Sequence, residues 1–114
     1  VMTGHPVEPA RLPRRVRDLI PPSLRARARL LGDELPPAVV DAAWAEFLDA
    51  LEPLAAAGRM GAVFLQFPPW FRPMRASADA LGAARERLGG RLAAVELRHR
   101  DWFSPRLAVR TLAL

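Results

Sequence analysis

Two short apolar runs, "GAVFLQF" at 61–67 and "LAAVELR" at 92–98, constrain this chain more than any other feature of it. Each is too short for an ordinary helix, and each is flanked by glycine, proline or charged residues. Their nearly continuous apolar character fits strands buried on both faces, as in a parallel sheet covered by helices. Between them, Met74, Ala78, Leu81, Ala84 and Leu88 fall along one helical stripe over 74–88, closed by Gly89 and Gly90. Strand, helix and strand occupy roughly 35 residues, the size of a βαβ unit.

The flanking segments extend the same alternation. Val40, Trp44, Phe47, Leu48 and Leu51 recur at helical spacing with Asp41, Glu46 and Asp49 opposite, which predicts a helix over 38–57. Pro53 is expected to kink its last turns and Gly58 to end it. Ser104 followed by Pro105 reads as a helix start, so a further helix is expected over 105–114. Upstream, prolines at 6, 9, 13, 21, 22, 36 and 37 exclude any long helix or central strand. An irregular connection with short helical turns near 13–20 and 24–31 is the expectation there. The order is an α/β architecture with parallel strands near 61–67 and 92–98. The opening "VMTGHP" reads as the end of a strand, and "RLAVRTLAL" breaks off within an amphipathic helix. That favours a piece of a larger sheet or barrel over a small complete domain with a third strand near residue 1.

Composition excludes several classes. The 114 residues contain no cysteine, so disulfides and thiolate metal sites are ruled out. No apolar run approaches the roughly 20 residues of a membrane span, and the first residues lack the order of a signal peptide. A cytoplasmic location is the expectation. The net charge of +5 resembles a nucleic-acid signal, but all 17 basic residues are arginine and alanine is abundant. That bias is what a coding sequence rich in G and C produces whatever the function. The excess is local: residues 1–31 hold seven arginines against Glu8 and Asp18, and the remainder is balanced. Such a segment attracts phosphate groups or an acidic partner, or else it is a solvated loop and short helix.

The candidate chemistry lies where the strands end. Alternation puts Ala62, Phe64 and Gln66 on one face of the first strand and Ala94, Glu96 and Arg98 on one face of the second. In parallel α/β proteins ligands bind at the C-terminal ends of strands, so Gln66 and Glu96 are placed to line one pocket. Glu96 and Arg98 read either as a buried ion pair or as a general base beside an anion-holding guanidinium. His99 and His5 are candidates for proton transfer or metal binding, with capping and supporting roles as the plainer alternative. Nothing in the spacing establishes a metal. Trp70, Phe71, Trp102 and Phe103 follow the two strands as aromatic pairs, suited to stacking on a sugar or base or to forming a hydrophobic plug. Arg100 adds a second cation at that end. No phosphate-cradling glycine loop, nucleophile elbow or "HExxH" is present.

"GRMGAVFLQFPPWF", followed after one helix by "AAVELRHRDWF", resembles the YecE-like family, also called domain of unknown function 72. The opening "MTGHP" is similar to the end of that family's third strand. The resemblance implies a TIM (β/α)8 barrel, of which this chain would be a central part carrying the fourth and fifth strands. It also implies that Thr3, His5 and the segments 66–71 and 96–103 line the barrel's C-terminal mouth. It supplies no reaction, cofactor or catalytic set.

The leading functional expectation is an enzyme-like barrel that binds an anionic or phosphorylated small molecule. Arg98 and Arg100 would hold the charge, Glu96, Gln66 and His99 would act on or orient the substrate, and the aromatic pairs would cover it. The alternative is a non-catalytic nucleic-acid binder using the arginines of 11–29 and stacking on Trp70 or Trp102. A truncated product without function is a third reading.

Overall fold

Proline placement explains how the first half of the chain turns. In the computed structural model, which describes residues 1–105, the chain divides into two compact units, one covering Val1–Gly61 and one beginning at Ala62. In the first unit Pro9 opens a 3-10 turn at Pro9–Arg11, and Pro13 precedes helix α1 (Arg14–Arg17). Pro22 opens α2 (Pro22–Arg25), and Pro37 opens α3 (Pro37–Ala56). Each proline stands before or at a first helical position, where a backbone N–H has no intrahelical acceptor. The prolines therefore start helices here.

These short elements share a core, which the irregular connection expected for 6–37 did not include. Val7, Val16, Ile20, Leu30, Leu35 and Val39 are buried together, with Leu12, Leu24 and Val40 packed against them. Val7 and Leu30 form one antiparallel bridge, with N–H···O distances of 2.7 and 2.8 Å. Helix α1 packs on α3, and Arg15 reaches Glu46 at 3.4 Å. The Arg25 guanidinium donates to the carbonyls of Asp18 (3.0 Å) and Ile20 (2.9 Å), which lie just past the end of α1. Both helical turns are shorter than expected: α1 ends at Arg17, ahead of the doubled proline at 21–22, and α2 starts at Pro22 and ends at Arg25. The opening residues form a turn with Gly4 at φ +75° and no strand, so the strand end read in "VMTGHP" is not found. Helix α3 matches the expected 38–57 and continues through Pro53. Pro53 and Asp49, whose carbonyl loses its intrahelical donor, are both exposed, a setting in which the missing bond is tolerated.

Glu34, in a 3-10 turn at Gly32–Glu34, reaches back to the backbone N–H of Leu31 at 2.7 Å and meets Arg27. Its carboxyl is held below the usual range, first by the Leu31 hydrogen bond and then by Arg27. A depressed folded-state value gives stability that is present above the ordinary glutamate value of about 4.3 and is lost as pH falls through the folded value. Wild type should exceed Glu34→Gln in stability at neutral pH. The gap should close in acid when the two are melted across a pH series.

The second unit holds strand β1 (Val63–Gln66), helix α4 (Arg75–Leu88) and strand β2 (Ala93–Glu96). The strands pair in parallel, Val63 with Ala93 through to Gln66 with Glu96, so α4 is the crossover. The ladder continues one bond beyond each end, from Val63 N to Leu92 O and from Phe67 N to Glu96 O. On α4, Ser77, Leu81, Ala84 and Leu88 are buried. Met74 drops out of the expected stripe, because it sits at the N-cap in extended conformation and its side chain is exposed. Gly89, at φ +58°, ends the helix in the left-handed conformation, as its place in the sequence predicts. The helix expected over 105–114 lies, beyond Pro105, outside the described residues.

Burial on both faces of both strands is not observed. On β1, Val63 and Leu65, with Phe67 just beyond, are buried, while Phe64 on the other face is 59% exposed. On β2, Ala93, Ala94 and Val95 are exposed, as is the preceding Leu92. Among the described residues the sheet has two strands, so β2 is paired along one edge only. A short apolar run reads the same whether one face or two are covered. Among the described residues no helix is long and apolar enough to cross a membrane.

Candidate functional site

Pairing of the parallel strands puts Gln66 and Glu96 side by side at the C-terminal ends. Glu96 is the last residue of β2, and Arg98, two residues on, returns its guanidinium to the same place. Arg98 Nε donates to Glu96 Oε1. The Gln66 carboxamide, turned so that its oxygen meets the guanidinium, accepts from Arg98 as well. Three polar side chains are thereby joined into one cluster. It is not the buried ion pair read as one alternative: the Arg98 and Glu96 side chains are 44% and 39% exposed. An ion pair this open contributes up to about 1 kcal/mol, so fold stability alone gives a weak reason for it.

The chain leaves β2 through a 3-10 turn at Arg100–Phe103, and His99 is its N-cap. His99 Nδ1 accepts from the backbone N–H of Asp101 at 3.3 Å and lies 3.6 Å from Asp101 Oδ2. The histidine thus holds the turn, which is the capping role given above as its plainer reading. A neutral ring bonded this way carries its proton on Nε2. Arg100 reaches Asp101 at 3.8 Å and is otherwise almost wholly exposed.

The aromatic pairs divide between plug and surface. Phe67 stacks on Phe71 with centroids 4.3 Å apart, and Phe71 on Trp102 at 5.7 Å. Trp102 is 3% exposed, and its indole N–H donates to the Phe71 carbonyl at 2.7 Å. This stack ties the loop after β1 to the loop after β2. Trp102 is therefore not offered to a ligand, which corrects its reading as a stacking surface: both ring and N–H are committed. Trp70 and Phe103 are exposed. In the first unit, His5 Nδ1 lies 3.0 Å from Thr3 Oγ1. Among the described residues no three His, Asp or Glu side chains gather as a metal site requires.

Most of the arginine-rich segment is matched by acids of its own unit. Arg11 and Arg29 meet Glu8, Arg14 and Arg25 meet Asp18, Arg15 meets Glu46, and Arg27 meets Glu34. Sequence reading missed both this pairing and the Asp101 partner of His99. The first has no periodic signal, while the second is visible as a histidine two residues before an aspartate at a turn.

These features define an α/β protein whose polar groups gather at the C-terminal ends of parallel strands. Residues 20–114 match the family described as protein of unknown function DUF72, and the chain belongs to that family. Over 67 residues it is 33% identical to the UPF0759 protein YunF of Bacillus subtilis (strain 168), covering 59% of this chain and 24% of that protein. The chain thus matches about a quarter of that relative's length. No solved structure matches it.

Proposed function

We propose that β1 and β2 are neighbouring strands of a TIM (β/α)8 barrel, and that Gln66, Glu96 and Arg98 line its mouth as the binding site of a small molecule with an acidic group. The observation that carries this reading is the Gln66–Glu96 pairing with Arg98 bonded to both. In such barrels ligands are held at the C-terminal ends of the strands. The one-sided burial of β1 supports the reading: Val63 and Leu65 are buried, and Phe64 and Gln66 share the opposite face, the one that would line a barrel interior. Arg98 holds the acidic group through its planar fork, Gln66 orients it, and Glu96 accepts a proton from the substrate. That residue set suits an isomerase or hydrolase.

The test is calorimetric titration of the full-length protein with a panel of sugar phosphates and amino-sugar phosphates. Wild type should bind a member of it, and Arg98→Gln should weaken binding by about tenfold or more, the loss typical of a charge-assisted hydrogen bond. Arg72→Gln, in the exposed loop after β1, controls for general loss of positive charge. If no member binds, the reading fails. Oligonucleotide binding that falls steeply with salt would transfer the case to the arginines of 11–29.

A further inference from the structure

The charges at the mouth are already balanced, and this limits what can enter. From residue 96 to 101 the chain carries Glu96, Arg98, Arg100 and Asp101, and each cation lies against an acid. Arg98 meets Glu96, and Arg100 meets Asp101 at 3.8 Å. His99, between them, presents Nδ1 to the Asp101 amide. A site for a bare anion instead aims uncommitted donors or cations at one point. Here an anion approaching Arg98 meets the Glu96 carboxylate on the same guanidinium. It either displaces that carboxylate, leaving two negative groups side by side, or binds beside it against repulsion. A ligand carrying an ammonium or other strong donor a few bonds from its acidic group has neither difficulty. Its acid replaces Glu96 on Arg98, and its cation takes the carboxylate that is released.

From this we infer that the ligand is a zwitterion, with an acidic group for Arg98 and a cationic or strongly donating group for Glu96. The inference rests on the proposed binding site and narrows its ligand class. Specificity arises from the unfavourable contact a bare anion would make as much as from the favourable one a zwitterion makes. Half-exposed Glu96 and Arg98 side chains leave room for the exchange without unfolding.

Two small phosphate monoesters, compared at mildly alkaline pH where both phosphates are dianions and the ammonium is still charged, separate the cases on the full-length protein: phosphoethanolamine, with phosphate and ammonium, and ethyl phosphate, with phosphate alone. Wild type should bind phosphoethanolamine at least about fivefold more tightly, the factor that an exposed ion pair of about 1 kcal/mol supports. Glu96→Gln should erase that preference and leave ethyl phosphate bound as well or better. Its melting temperature, expected to change little for so open a pair, checks that the variant is folded. Equal or tighter binding of ethyl phosphate by wild type would overturn the zwitterion inference while leaving an anion site at Arg98. A preference that survives Glu96→Gln would also overturn it, because Glu96 would then not be the partner. Failure of both probes to bind would reject the inference, and failure of the wider phosphate panel would reject the binding site beneath it.

Discussion

Replacing Trp102 by alanine is expected to lower the stability of the protein by about 3–5 kcal/mol, the range for deleting a buried large aromatic side chain. Trp102 is 3% exposed, stacks on Phe71 and donates its indole N–H to the Phe71 carbonyl. Alanine removes the ring contacts, leaves a cavity and strips that carbonyl of its donor. Trp102→Phe separates the two effects, because it keeps an aromatic ring and removes the N–H. Its cost should be the smaller, about 1–3 kcal/mol for a buried carbonyl left without a partner. Chemical denaturation of the full-length protein measures both. If Trp102→Ala changed stability by less than about 1 kcal/mol, the side chain would be free to serve a ligand, and the plug assignment would be wrong.

The aromatic stack also explains which parts of the site can be read in the sequence. Pairing Gln66 with Glu96 needs only two strands and one crossover helix, and these follow from the apolar runs, from alternation and from Gly89 at the helix end. The ion pair of Glu96 with Arg98 follows in part: a strand read over 92–98 gives the two residues one face, but β2 ends at Glu96 and Arg98 returns to it from beyond the strand. What does not follow is burial. The same residues between "VFLQF" and "DWF" serve a closed core or an open face, depending on strands that pairing alone does not supply. Trp70 and Trp102 each follow a strand in similar company, yet Trp102 is buried and Trp70 is exposed. The difference comes from the turn that His99 caps, which carries Trp102 inward onto Phe71. Tertiary contacts of this kind leave no period in the sequence. The loss of Met74 from the α4 stripe in favour of Ser77 has a similar origin. The extended backbone at the N-cap carries Met74 off the helix.

Ile20→Ala is expected to cost about 2–5 kcal/mol, although the segment from 6 to 37 carries seven prolines and reads as a connection. Ile20 is 1% exposed and lies in the cluster with Val7, Val16, Leu30, Leu35 and Val39. Its backbone carbonyl is bonded by Arg25, which fixes the exit from α1 at the point where Pro21 begins the next turn. The neighbouring Leu19, of the same size and hydropathy class, is 49% exposed. Leu19→Ala should therefore fall within about 0.5 kcal/mol of wild type, as surface substitutions do. The pair tests the core directly, because composition, local propensity and distance from the prolines are nearly the same for both. A loop without a core of its own would make both substitutions cheap. A core organised as described makes only Ile20 costly, since an alanine there opens a cavity that four-residue helices pinned by proline at their starts cannot close by sliding. Urea titrations of the two variants, compared at equal slope, decide between these outcomes.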